Sequence, residues 1–180
     1  LNDFMNSNEF KQRLNPNECH MLVEWNKLRN LMWSENCTVA PWGFFKMIQK
    51  TAQEKNRDLF TGYMQNDLPE FVLFILDCFH LGLQREVEMT ISGIIKTNSD
   101  KLASDCYNMM RQMYKKEYSE ILNLFYCISV TQIINDKKEI LVNKPEPCSL
   151  VSVPVKKRES TLYECFDNYC ELELLEGDNA

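Results

Sequence analysis

The chain of 180 residues carries 20 Lys and Arg against 26 Asp and Glu, a formal net charge of −6. It therefore lacks the positive surplus that neutralises phosphates, and nucleic acid is not expected as a partner. Hydrophobic residues at 44% and charged residues at 26% exclude a disordered chain, while 5 Gly and 6 Pro, about half of average usage, are too few for a turn-rich all-β sandwich.

From His20 to Trp33, Met21, Leu22, Trp25, Leu28, Leu31 and Met32 recur with a helical period. Pro41 can occupy the first turn of a second helix that continues through Trp42, Phe45, Met47, Ile48 and Ala52. A third helix is predicted over Leu68–His80, nearly continuous in apolar residues and so expected to be buried all round. Between Arg85 and Ile95, the residues Val87, Met89, Ile91 and Ile94 suit a weaker helix. Asp100–Tyr118 carries an amphipathic stripe of Leu102, Cys106, Met109, Met110, Met113 and Tyr114, read as adaptable core.

After Leu122 the character changes. Phe125–Ile134 is rich in β-formers, Asn135–Lys138 reads as a turn, and Glu139–Asn143 as a returning strand. Pro145 and Pro147 are expected to end it before a third short strand over Ser149–Val153. Lys156, Lys157 and Arg158 form a basic loop. Ser160 or Thr161 then caps a last helix, and Glu164, three residues after Thr161, completes a capping box. Helices first and a small antiparallel sheet afterwards make the fold class α+β.

The longest uninterrupted apolar run, Phe71–Leu76, is six residues, far below the roughly 20 that span a bilayer. No membrane partner is expected, and the N-terminus has no signal-peptide pattern. The 8 cysteines contain no C-x-x-C pair. They are read as reduced thiols of a cytoplasmic or nuclear protein, with no metal and no cofactor expected. Asn is plentiful and Ala scarce, which hints at an AT-rich genome and possible virus-encoded origin. Oligomeric state is not readable.

The segment Phe60–His80, FTGYMQNDLPEFVLFILDCFH, resembles the glutamine box of the ubiquitin-specific proteases, the ubiquitin carboxyl-terminal hydrolase family of cysteine deubiquitinases. Gly62, Gln65, Asp67, Glu70, Phe71, Asp77 and His80 match in register, whereas Leu68 and Pro69 replace the usual Ala and Gln. Two looser matches follow in order. Lys144–Pro154 resembles the family's Glu-Pro-Phe segment, with Cys148 in place of Phe, and Ser160–Asn179 resembles its Ser-Leu-x-acidic-Cys helix running into Glu-x-Leu-x-Gly-Asp.

The resemblance implies a papain-like deubiquitinase domain, here an internal portion incomplete at both ends. Residues 1–121 would form a helical thumb-like region and residues 122–180 a finger and palm-like sheet with its capping helix. It implies ubiquitin or a ubiquitinated protein as partner, Gln65 near the catalytic centre, and Asp67 and Glu70 facing ubiquitin's arginine-rich tail. The family's Gly-Asn-x-Cys nucleophile box and Gly-His-Tyr base box do not occur in the sequence. No residue of this chain is therefore assigned a catalytic role, and the chain alone is expected to be inactive. The family's finger zinc is not expected either, because Cys127 stands alone where paired C-x-x-C motifs would lie. The alternative reading is a scaffold or assembly protein that keeps the fold without the chemistry.

Each candidate also has a plainer role. Asp67-Leu68-Pro69-Glu70 has the form of a capping box with proline in the first turn, so Asp67 can cap a helix and Glu70 can reciprocate. Gln65 can serve as a loop amide. Asp77 and His80 stand three apart and could pair, with His80 near a helix C-terminus. Cys19–His20 and Cys78–His80 cannot make a nucleophile–base pair, since such close neighbours on a helix do not face one another.

Overall fold

The computed structural model describes residues 1–35, 38–62 and 64–174. Cys37, and the Glu-x-Leu-x-Gly-Asp match from residue 175 onward, lie outside the described residues. The chain divides into two compact units, Leu1–Ser149 and Leu150–Ala180.

In the first unit, two short helices, α1 (Asn2–Asn6) and α2 (Asn8–Arg13), precede α3 (His20–Met32) and α4 (Trp42–Glu54). A 3-10 turn at Asp58–Phe60 leads to α5 (Leu68–Leu81), followed by α6 (Asn98–Glu117) and α7 (Glu120–Phe125). Met21 and Leu22 of α3, Ile48 and Ala52 of α4, and Phe74 and Phe79 of α5 meet in one core, with Ile121 of α7 joining it. Burying each large side chain of this kind stabilises the fold by about 1.5–3 kcal/mol. α3 and α5 approach closely where Gly82 ends α5. A Cβ there would lie 2.7 Å from Leu22 Cδ1 and 3.3 Å from the Cys19 Cα, so a larger residue would push the two helices apart.

α5 is not buried all round. Leu68 is 69% exposed and Val72 40%, because α5 is covered on the face of Phe74, Cys78 and Phe79 and left open on the other. The helix expected between Arg85 and Ile95 is not formed either. Arg85 makes an isolated antiparallel bridge to Tyr118, the Val87 N–H donates to the Tyr114 carbonyl, and the chain runs on without regular structure to α6. Val87, Met89 and Ile91 are half-buried while Glu86, Glu88 and Thr90 are exposed. The apolar spacing there is the two-residue period of extended chain rather than the period of a helix.

β1 (Cys127–Ile134) and β2 (Ile140–Cys148) form an antiparallel hairpin, in register from Cys127 opposite Cys148 to Ile133 opposite Val142, with an irregularity before Ile134. Asn135 shapes its tip, its Oδ1 accepting from the Lys137 and Glu139 N–H groups. Lys138 there takes a φ of 60°. β2 runs through Pro145 and Pro147 instead of stopping before them. The two prolines are two residues apart, so both missing N–H groups fall on the edge facing away from β1, where no ladder bond is lost. That same edge is a poor template for a further strand, and Ser149–Val153 forms none.

The second unit holds α8 (Leu162–Tyr169). Thr161 and Glu164 exchange the two hydrogen bonds of a capping box at its start. Lys156 and Glu171 form an ion pair within this unit. Leu162, Phe166 and Tyr169 are exposed and Cys165 is buried. No helix among the described residues is long and apolar enough to cross a membrane.

Candidate functional site

The start of α5 is built by the chain on either side of it. Phe60, buried at the end of the 3-10 turn, stacks on Phe74 with ring centroids 4.9 Å apart and meets Phe71 at 5.6 Å. These rings tie the incoming segment to the buried face of α5. The Gln49 side chain of α4 donates to the Thr61 carbonyl at 3.1 Å, and the Asn66 amide donates to the Met64 carbonyl at 3.1 Å. The segment is therefore held from below, and its polar residues point to solvent.

Asp67 is the N-cap of α5, and its Oδ1 accepts from the Glu70 N–H at 3.1 Å. Pro69 sits in the first turn, where a missing N–H costs nothing. The expected reciprocal bond from Glu70 is not made. The capping boxes at Thr97–Asp100 and Thr161–Glu164 have both bonds, whereas the Glu70 carboxylate stays in solvent. Gln65, Asp67 and Glu70 are all exposed, and exposed Met64 and Leu68 lie among them. Asp67 Oδ2 has no partner among the described residues. Gln65, Asp67 and Glu70 thus all lie exposed at the start of α5, with one Asp67 oxygen used for capping.

His80, at the other end of α5, does not pair with Asp77. Its Nδ1 lies 2.7 Å from the Oγ of Ser119, which also accepts from the Leu122 N–H at 3.2 Å. The Ser119 hydroxyl and the imidazole share one hydrogen bond, whose direction follows the imidazole tautomer. Burial lowers the His80 pKa, opposed by Glu117 and Asp77. The histidine joins α5 to α7.

Beside it lies a cluster that local sequence patterns miss. Glu120, whose side chain is 11% exposed, holds Arg85 through two bonds of 3.0 and 2.6 Å and also binds Arg13. The Arg85 guanidinium packs over the Tyr118 ring, 4.8 Å from its centroid. Burial raises the Glu120 pKa, but the hydrogen bonds from Arg85, from its own N–H and from Arg13 outweigh it and hold the carboxyl below its usual range. The three residues come from distant parts of the chain, and the only local sign was Ser119 ahead of an acidic first turn.

The cysteines offer no catalytic pair among the described residues. Cys78 shares a cavity of about 280 Å³ with His20 but makes no hydrogen bond to it. Burial pushes the Cys78 thiol up to about 11, despite the nearby Lys55. Such a thiol is almost wholly protonated at neutral pH and a poor nucleophile. Among the described residues no group of three or more His, Cys, Asp or Glu is placed to hold a metal ion.

Residues 1–151 match the family profile described as ubiquitin carboxyl-terminal hydrolase, and the chain belongs to that family. It is similar to ubiquitin carboxyl-terminal hydrolase 2 of Bos taurus, 31% identical over 172 residues that cover 88% of this chain and 26% of the relative. The Gallus gallus protein of the same name is 28% identical over 168 residues, covering 88% of this chain and 44% of that one. Ubiquitin carboxyl-terminal hydrolase Usp2 of Drosophila melanogaster is 24% identical over an alignment of 189 positions, gaps included, that covers 99% of this chain and 18% of the relative. The chain thus spans less than half the length of these relatives.

Proposed function

We propose that this chain supplies a ubiquitin-recognising portion of a deubiquitinase-like domain, and that the start of α5 receives the basic C-terminal tail of ubiquitin or of a ubiquitinated protein inside the cell. The observation that supports it is the pair of exposed carboxylates, Asp67 and Glu70, set beside the Gln65 amide and uncommitted to any internal cation. A carboxylate and a guanidinium can share two parallel hydrogen bonds, which gives arginine recognition its direction as well as its strength. Met64 and Leu68, 78% and 69% exposed, offer apolar contact to residues between the arginines.

Titration calorimetry of the chain with ubiquitin tests this. Asp67→Asn keeps the cap, because asparagine caps as well as aspartate, yet removes the charge. Ubiquitin binding should weaken by about 2 kcal/mol, roughly 30-fold, as for loss of one partner of a desolvated charge pair. Asp67→Ala should in addition lose about 1 kcal/mol of stability. Binding by the Asn variant at parental strength would reduce Asp67 to a cap.

Hydrolysis is not assigned to the chain's own residues, since Cys78 is a protonated, buried thiol and His80 is committed to Ser119. The chain should release no fluorophore from a ubiquitin C-terminal amide. Turnover abolished by a single Cys→Ser substitution would overturn that assignment.

A further inference from the structure

The base of the hairpin places two thiols opposite each other. Cys127 opens β1 and Cys148 closes β2, and the two are register partners in the antiparallel pair. Directly opposed residues have Cα atoms about 4.5–5.5 Å apart and side chains on the same face. A disulfide needs about 4.4–6.8 Å between Cα atoms, and the range for register partners falls within it. The Cys127 side chain already leans across the strands, with its Sγ 3.3 Å from the Cys148 carbonyl oxygen. Cys127 is exposed and Cys148 half-buried, so an oxidant can reach the pair. Both are reduced in this structure.

We propose that Cys127 and Cys148 form a reversible disulfide, a redox-dependent staple at the open end of the hairpin. The oxidant is a hydroperoxide. The Cys127 thiolate attacks one peroxide oxygen, the O–O bond breaks, and an alcohol or water leaves as the sulfur becomes a sulfenic acid. The Cys148 thiolate then attacks that sulfur, and its hydroxyl leaves as water. Two thiols and one peroxide thus give one disulfide, one alcohol and one water, and an added dithiol reverses the link. Burial and the nearby Cys148 thiol push the Cys127 thiol up, so oxidation is slow at neutral pH and faster in mild alkali.

The hairpin has reason to need such a staple. Two strands alone are marginally stable, and this sheet has two, held together by their ladder and by the turn at Asn135–Glu139, with α6 against β2. The link would lock the register from the end opposite that turn. Zinc is the weaker alternative, because two thiols give half of a tetrahedral site and no further ligands gather there among the described residues. The proposal is independent of ubiquitin binding.

Hydrogen peroxide treatment of the full chain, followed by proteolysis without reductant and mass spectrometry, tests it. The expected product is one crosslinked peptide joining Cys127 to Cys148, lighter by two hydrogens and lost on dithiothreitol treatment. Cys127→Ser and Cys148→Ser should each abolish it without a new crosslink to the remaining cysteine of the pair, and Cys78→Ser should leave its yield unchanged. The oxidised chain should melt higher than the reduced chain. Oxidation that leaves Cys127 and Cys148 unlinked, or links either to another cysteine, overturns the proposal. The parental chain alone decides this, whether or not the serine variants fold.

Discussion

Asp67 and Glu120 are both acidic residues at helix starts, the first capping α5 and the second opening α7. Asp67 is exposed, uses one oxygen for the Glu70 N–H and leaves the other to solvent. Glu120 is buried and bonded to both Arg85 and Arg13. The helix dipole favours a negative charge in either place. Surroundings divide the roles: a carboxylate with internal cations holds the fold together, and one without them is available to a partner.

The largest expected effect is at Glu120. Glu120→Gln keeps the volume, removes the charge and leaves Arg85 and Arg13 facing each other. Breaking a buried pair costs about 3–5 kcal/mol. The side chains of Arg13 and Arg85 are 34% and 29% exposed, so solvent screening places the loss at or below about 3 kcal/mol. Urea unfolding should show it as a lower midpoint at unchanged slope. A loss as small as that of an exposed ion pair would erase the contrast with Asp67.

A pH titration of stability separates half-buried His80 from buried Glu120. The folded His80 has a pKa below its ordinary 6.5, so the unfolded chain binds its proton first. Stability should fall as pH drops below about 6.5 and level off below the folded pKa. Glu120 is lowered from 4.5, so its contribution is complete above that value and is lost as pH falls through the folded pKa. His80→Gln should remove the upper slope and keep the lower one. An unchanged upper slope would show that another group carries it.

Smaller effects should follow at the ends and open faces of helices. Thr97→Ala removes the side-chain acceptor of the α6 capping box and should cost about 1 kcal/mol in thermal unfolding. Val72→Ser, on the open face of α5, should change stability by no more than about 0.5 kcal/mol. A larger loss there would show that the face is covered.

By itself the sequence determined what depends on near neighbours. The period of Met21–Met32 specified α3, the Asp-x-Pro-Glu signal placed the start of α5, and Thr161 with Glu164 set the start of α8, because helix period and capping act within a turn or two. The glutamine-box stretch was legible in another way, by its resemblance to the family that the profile match over residues 1–151 shows. Only the tertiary structure decided that Val87–Ile91 forms no helix, that one face of α5 is open, and that β2 continues through two prolines. It also decided that His80 turns to Ser119 and that Glu120 gathers Arg13 and Arg85. These outcomes depend on partners far along the chain, 107 residues apart for Arg13 and Glu120. Burial and charge pairing act through space, so no local pattern could announce them.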